Sequence, residues 1–239
     1  MNILLTNDDG YDSYGIRLLF EKLKKYGRVV IVAPEQHMSA KSVAITIGHP
    51  LNCRTVEEDV FALDGTPADC VGFGLSMLNI KFDLVVSGCN NGPNLSYDTM
   101  YSGTIGAALQ ALMFKVPAVA FSTPENEFKV VENHFDEVMS LIVDNELYSL
   151  EYVVSVNFPF GGEVKGIEFS SLYYRDDDQF FTEQDDGYYA YRDMEKEITD
   201  KNCDCYHVEH GIISITPLSK TFYKEDLLKE LKEKVSHRK

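Results

Sequence analysis

The sequence predicts an α/β fold in which helices cover both faces of a mostly parallel sheet. Short apolar runs alternate with stretches of helical spacing through the first two thirds of the chain, and polar, glycine-rich segments fall where several of those runs end. Composition agrees: 239 residues, 44% of them hydrophobic and 25% charged, can bury a full core and suit one large domain better than a string of modules.

The elements follow in order. Residues 2–6 are a short apolar run that reads as a buried strand, and Ile16, Leu19, Phe20 and Leu23 then keep helical spacing up to a stop at Gly27. Residues 28–33 read as a second strand, ended by Pro34. Residues 43–63 are rich in Val, Ile and Thr without helical spacing and read as short strands or a hairpin inserted in the core. Thr66-Pro67 opens a helix, a capping hydroxyl followed by the residue best tolerated at the first helical position. A strand at 82–87, a small-residue helix at 102–115, a strand at 116–122, a helix at 127–145 and a strand at 152–158 complete the alternation. This is the punctuation of Rossmann-like folds.

The character changes near residue 161, which divides a Rossmann-like core (1–160) from a β-rich extension of the same domain (161–239). Acidic runs (Asp176, Asp177, Asp178; Asp185, Asp186) there mix with Tyr173, Tyr174, Phe180, Phe181, Tyr188, Tyr189 and Tyr191. The mixture reads as a protruding, less regular lobe, its acids solvated and its aromatics packed on the body or on a neighbouring subunit. Residues 212–216 read as a strand before Pro217, and Leu227, Leu228, Leu231 and Val235 as an amphipathic terminal helix.

Charge narrows the function. With 22 Lys and Arg against 38 Asp and Glu, the net charge of −16 repels long polyanions and argues against a nucleic-acid polymer as partner. A small phosphorylated substrate stays compatible if a metal reverses the field locally. No apolar run approaches the roughly 20 residues of a membrane span, and charge comes too early for a secretory signal, so a soluble cytoplasmic protein without membrane contact is expected. Five scattered cysteines fit reduced thiols and no structural disulfide.

In an open parallel sheet, ligands bind beyond the carboxyl ends of the strands. The first strand runs into Asn7-Asp8-Asp9-Gly10, the second into Ala33-Pro34 and then Ser39, and the strand ending at Ser87 into 88–94, which carries Asn90 and Asn94. Adjacent carboxylates raise one another's pKa unless a cation neutralises them, and hard oxygen donors suit Mg²⁺ or Mn²⁺. Taken alone, Asp8-Asp9 is equally an Asp-Gly turn with one carboxylate capping a helix. Ser102-Gly103-Thr104 opens a helix with hydroxyls and free N–H groups that suit a phosphate, or is an ordinary cap. No GxxxxGK[ST], strand-end GxGxxG or GxSxG occurs, which counts against P-loop, dinucleotide-binding and serine-hydrolase readings. Cys203, Cys205, His207 and His210 match no common zinc spacing.

Together these residues resemble the SurE family of survival-protein nucleotidases. The likeness rests on ILLTNDDG (3–10), APEQHMSAKS (33–42), LDGTPADCV (63–71) and VVSGCNNGPNLSYDTMYSGTIGAAL (85–109), with a weaker tail match at Asp204 and 211–218. The resemblance implies one divalent metal held by Asp8, Asp9, Ser39 and Asn90, with Asn94, Ser102, Gly103 and Thr104 on the substrate phosphate. It implies metal-dependent hydrolysis of nucleoside 5′- and 3′-monophosphates, with short polyphosphate a further substrate of some members, by a homodimer or homotetramer. Two family glycines are replaced, by Ala40 and Ser96. The rivals are an aspartyl-nucleophile phosphatase, which wants DxDx[TV] where the aspartates here are adjacent, and a non-catalytic, metal-dependent nucleotide-binding protein.

Overall fold

The structure is a computed structural model that describes residues 1–161, 163–174, 179–192 and 197–236, without the side chains of 179–180, 190–192 and 235–236. The chain opens with β1 (Asn2–Thr6), α1 (Tyr14–Leu23), β2 (Arg28–Pro34), β3 (Cys53–Glu57), β4 (Val60–Leu63), α2 (Pro67–Met77) and β5 (Leu84–Asn91). There follow α3 (Asp98–Tyr101), α4 (Gly103–Met113), β6 (Ala118–Thr123), α5 (Phe128–Asp144), β7 (Tyr152–Asn157) and β8 (Gly166–Phe169). A hairpin of β9 (Gln179–Gln184) and β10 (Gly187–Arg192), α6 (Asp204–Glu209), β11 (Ile212–Ser219) and α7 (Glu225–Ser236) complete it.

Nine strands form one sheet in the order β3-β4-β2-β1-β5-β6-β7-β11-β8. It is parallel throughout except where β3 meets β4 and β11 meets β7. Side chains alternate across β1: Ile3 and Leu5 join the core under α1 and α5, while Leu4 joins the core under α2 and α4. On the first face Ile16, Leu19 and Leu23 of α1 and Val131, Phe135, Val138 and Ile142 of α5 are fully buried. On the second, Ala107, Ala108 and Ala111 let α4 lie close to the strands. Burying each large aliphatic or aromatic side chain stabilises the fold by about 1.5–3 kcal/mol, so the two-faced pattern dominates the energetics. A capping box begins α2: the Thr66 hydroxyl accepts from Asp69 N and the Asp69 carboxylate accepts from Thr66 N.

Three readings change. The hairpin of 43–63 is β3–β4, and it lies at the sheet's edge rather than in its core; β3 carries Arg54 and Glu57, the charged dressing of an edge strand. The strand expected to end at Ser87 continues to Asn91, with a bulge against β6 between Ser87 and Asn90. From the lobe, β8 and β11 instead widen the main sheet, and the β9–β10 hairpin stands as a separate two-stranded sheet. Asp176, Asp177 and Asp178 lie outside the described residues, as do the side chains of Phe180, Tyr191 and Val235. Among the described residues no helix is long and apolar enough to cross a membrane, and all five cysteines are free thiols.

Candidate active site

The carboxyl ends of β1, β2 and β5 open on one cavity of about 980 Å³. Asp8, Asp9, Ser39, Asn90, Asn94 and Ser102 all line it.

Asn7, fully buried, builds the turn that presents the two aspartates: its amide donates to Gly10 O and to Ser13 Oγ, and its carbonyl accepts from Gly10 N. Asp8 is 4% exposed, and its Oδ1 accepts from the Thr104 hydroxyl at 2.5 Å. Burial pushes its carboxyl above the ordinary range and the Asp9 charge adds to this, while the Thr104 hydrogen bond pulls the other way. Asp9 accepts from Asn91 N at 3.0 Å through Oδ2, and its Oδ1 faces His37 Nδ1 at 3.3 Å. The Asn90 amide donates to Gly92 O at 2.7 Å, which leaves its carbonyl as the ligating end.

Ser39 is exposed but its loop is pinned at both ends. Met38 N donates to Asp8 O at 2.7 Å, and Ser42 reaches Tyr101 O and Met100 O through its N–H and hydroxyl. Gly106 permits this approach: a Cβ there would lie 1.9 Å from Ser42 O. Asn94 is locked by Asn157, which accepts from its N–H and donates to its carbonyl, and by Ser122 Oγ at 2.8 Å. Its loop is clamped from afar by Asp204, a buried carboxylate that accepts from Ser96 N, Tyr173 N and Cys205 N. Ser102 caps α4 by accepting from Ile105 N.

Gly103 and Thr104 stand behind the wall. The Thr104 hydroxyl, fully buried, is committed to Asp8 and does not face the cavity, and Gly103 packs so tightly that a Cβ would come 2.9 Å from Asp8 Oδ2. A hydroxyl read from sequence as an anion donor is here a brace for a carboxylate.

The charge of the wall decides what can enter. Asp8, Asp9, Asp98 and Glu125 line the cavity, and no Lys or Arg does among the described residues, so a phosphate dianion is repelled unless a cation comes with it. Two carboxylates, a hydroxyl and an amide carbonyl are a hard oxygen set that fits Mg²⁺ or Mn²⁺. No three Cys, His, Asp or Glu side chains cluster for metal binding among the described residues, so any such site depends on its neutral donors. Near the chain's other thiols, Cys203 Sγ bonds Asp200 O, His207 Nδ1 bonds Ser170 Oγ, and His210 stacks on Tyr206 at 3.8 Å.

The cavity also includes residues that the sequence reading did not place there: Tyr14, Glu125, Asn126 and Phe128. Tyr14 and Phe128 are the first residues of α1 and α5, each following a strand end. Aromatics at that position face the rim, a signal legible in the spacing.

Comparison with known proteins gives the family and the fold. The family model described as survival protein SurE matches residues 3–179. The 5′-nucleotidase SurE of Acinetobacter baylyi is 35% identical over 97% of this chain and 98% of its own length. That of Clostridium botulinum is 33% identical over 98% and 99%. The crystal structure of the SurE protein from Aquifex aeolicus superposes with a TM-score of 0.87 at 33% identity, covering 98% of this chain and 99% of that one.

Proposed function

The chain belongs to the SurE family, and we propose that it is a metal-dependent 5′-nucleotidase that converts nucleoside monophosphates, the 3′ isomers included, to nucleoside and phosphate. The observation that carries the reading is a cavity whose wall joins two adjacent carboxylates, a hydroxyl and an amide but holds no fixed positive charge among the described residues. Asp8, Asp9, Ser39 and Asn90 would hold one Mg²⁺ or Mn²⁺. Such an ion, when bound, polarises the phosphoryl group and lowers the pKa of water.

The protein's own groups do the remainder. Asn94 and Ser102, both fixed by hydrogen bonds before substrate arrives, receive the phosphoryl oxygens where negative charge grows. Asp9, restrained through Oδ2 by Asn91, orients the attacking water. Thr104 and Gly103 act through Asp8, one by a hydrogen bond and the other by close packing. Short polyphosphate presents the same terminal phosphoryl group and is a further substrate.

We place the protein in the cytoplasm, where its free thiols stay reduced. The exposed Phe181 and Tyr188 of the β9–β10 hairpin support assembly into a homodimer or homotetramer. Phosphate release from nucleoside 5′- and 3′-monophosphates by chelator-stripped protein, with Mg²⁺ or Mn²⁺ restored, tests the function. Asp8→Asn is expected to lose at least about 100-fold in kcat with its fold intact; near wild-type turnover at saturating metal defeats the assignment.

A further inference from the structure

We infer that Tyr14 and Phe128 form the platform on which the substrate's nucleobase stacks, an assignment that rests on the nucleotidase reading and specifies another part of the same site. A cavity of about 980 Å³ is far larger than a phosphate needs and falls in the range of pockets that enclose whole organic ligands. Its Asn94 and Ser102 are committed to the phosphoryl end. The Tyr14–Phe128 pair is contributed by the first residues of α1 and α5, whereas Ser102 comes from the N-cap of α4.

The two rings meet edge to face, with centroids 5.0 Å apart and planes at 62°. Tyr14 nevertheless remains 57% exposed, so its ring keeps an open surface. Its orientation is fixed from below: the hydroxyl donates to Glu132 Oε1 at 2.6 Å, and Glu132 in turn takes Lys129 at 2.7 Å. Such a ring is held in place while its surface stays open, the preorganised state that stacking rewards.

Electrostatics favours the same occupant. With Asp98 and Glu125 also on the wall, further negative charge beyond the phosphate is disfavoured, and an uncharged heteroaromatic ring meets that condition. Glu125, Asn126 and Asn91 lie on the same cavity and offer acceptors and donors for a base edge.

Two measurements on the full chain decide the matter. Calorimetric titration with adenosine isolates the nucleoside end from the chemistry. Tyr14→Ala and Phe128→Ala are expected to weaken adenosine binding roughly 5- to 100-fold, the range found for loss of one base–aromatic stack, while Tyr14→Phe, which keeps the ring and drops the Glu132 bond, stays within about twofold. The ratio of kcat/KM for adenosine 5′-monophosphate to that for ribose 5-phosphate is expected to fall by the same factor in the alanine variants. Tyr14→Leu, which keeps apolar bulk on the helix, repeats the loss if stacking is the cause. Adenosine binding equal to wild type in Tyr14→Ala and Tyr14→Leu overturns the platform, as does wild-type protein that binds no adenosine. A wild-type protein that binds adenosine through these rings yet releases no phosphate would instead overturn the nucleotidase reading alone.

Discussion

Gly103→Ala is the sharpest probe of how the site is built. The added methyl carbon would stand 2.9 Å from both Asp8 Cβ and Oδ2, and 3.2 Å from Cγ. Ordinary contact begins near 3.5 Å, so roughly half an ångström must be found. Asp8 cannot yield freely, because Thr104 holds its carboxylate and Met38 N holds its carbonyl. The overpacking costs about 1–3 kcal/mol, offset in part by up to ~1 kcal/mol of better helix propensity. Stability therefore falls by about 0–3 kcal/mol, while a displaced carboxylate costs on the order of 100-fold in turnover. Urea unfolding and metal-supported phosphate release, measured on the same preparation, give both numbers. Activity within twofold of wild type would refute the claim that the start of α4 sets the position of Asp8.

Other outcomes follow from the same structure. Ser96 occupies a left-handed conformation (φ 51°), and its buried hydroxyl has no hydrogen-bond partner. Removing both penalties with Ser96→Gly, against the extra entropy of the unfolded glycine, should stabilise by about 1–2 kcal/mol and raise Tm by roughly 2–8 °C; an unchanged or lower Tm refutes this. Asp69 is partly desolvated, which raises its pKa, yet hydrogen bonds from Thr46 and Thr66 outweigh this and hold the carboxyl below 3.8. A depressed folded pKa contributes stability that is present above pH 3.8 and lost as pH falls through the folded value. Asp69→Asn should accordingly cost about 1 kcal/mol at neutral pH, with the gap to wild type closing below pH 4 in urea midpoints. A gap that stays constant with pH would count against the hydrogen-bonded carboxylate as its source.

Much of this architecture was legible in the sequence because burial imposes a period. Val29 to Ala33, the α5 pattern and the Thr66-Pro67 start each state their geometry locally. The rim position of Asp8, Asp9, Ser39 and Asn90 followed from strand ends alone. Tertiary commitments did not. Gly88 and two asparagines follow the expected strand end at Ser87, yet neighbouring β6 draws them into a bulged strand. Residues 166–169 are too short and too exposed to show a period, and only pairing with β11 makes them β8. The Thr104 hydroxyl has a partner 96 residues away, which no window along the chain could reveal.

The clamp at Asp204 sets a schedule for the nascent protein. Ser96, two residues from Asn94, is tied to a carboxylate that lies 108 positions later. At about 5–20 residues per second, a ribosome needs roughly 5–20 s to supply that partner. During that interval Asp8, Asp9 and the start of α4 are already made, but the Asn94 loop lacks the bond that holds it at Ser96. The fastening of Ser96 is therefore among the later steps in building the pocket wall.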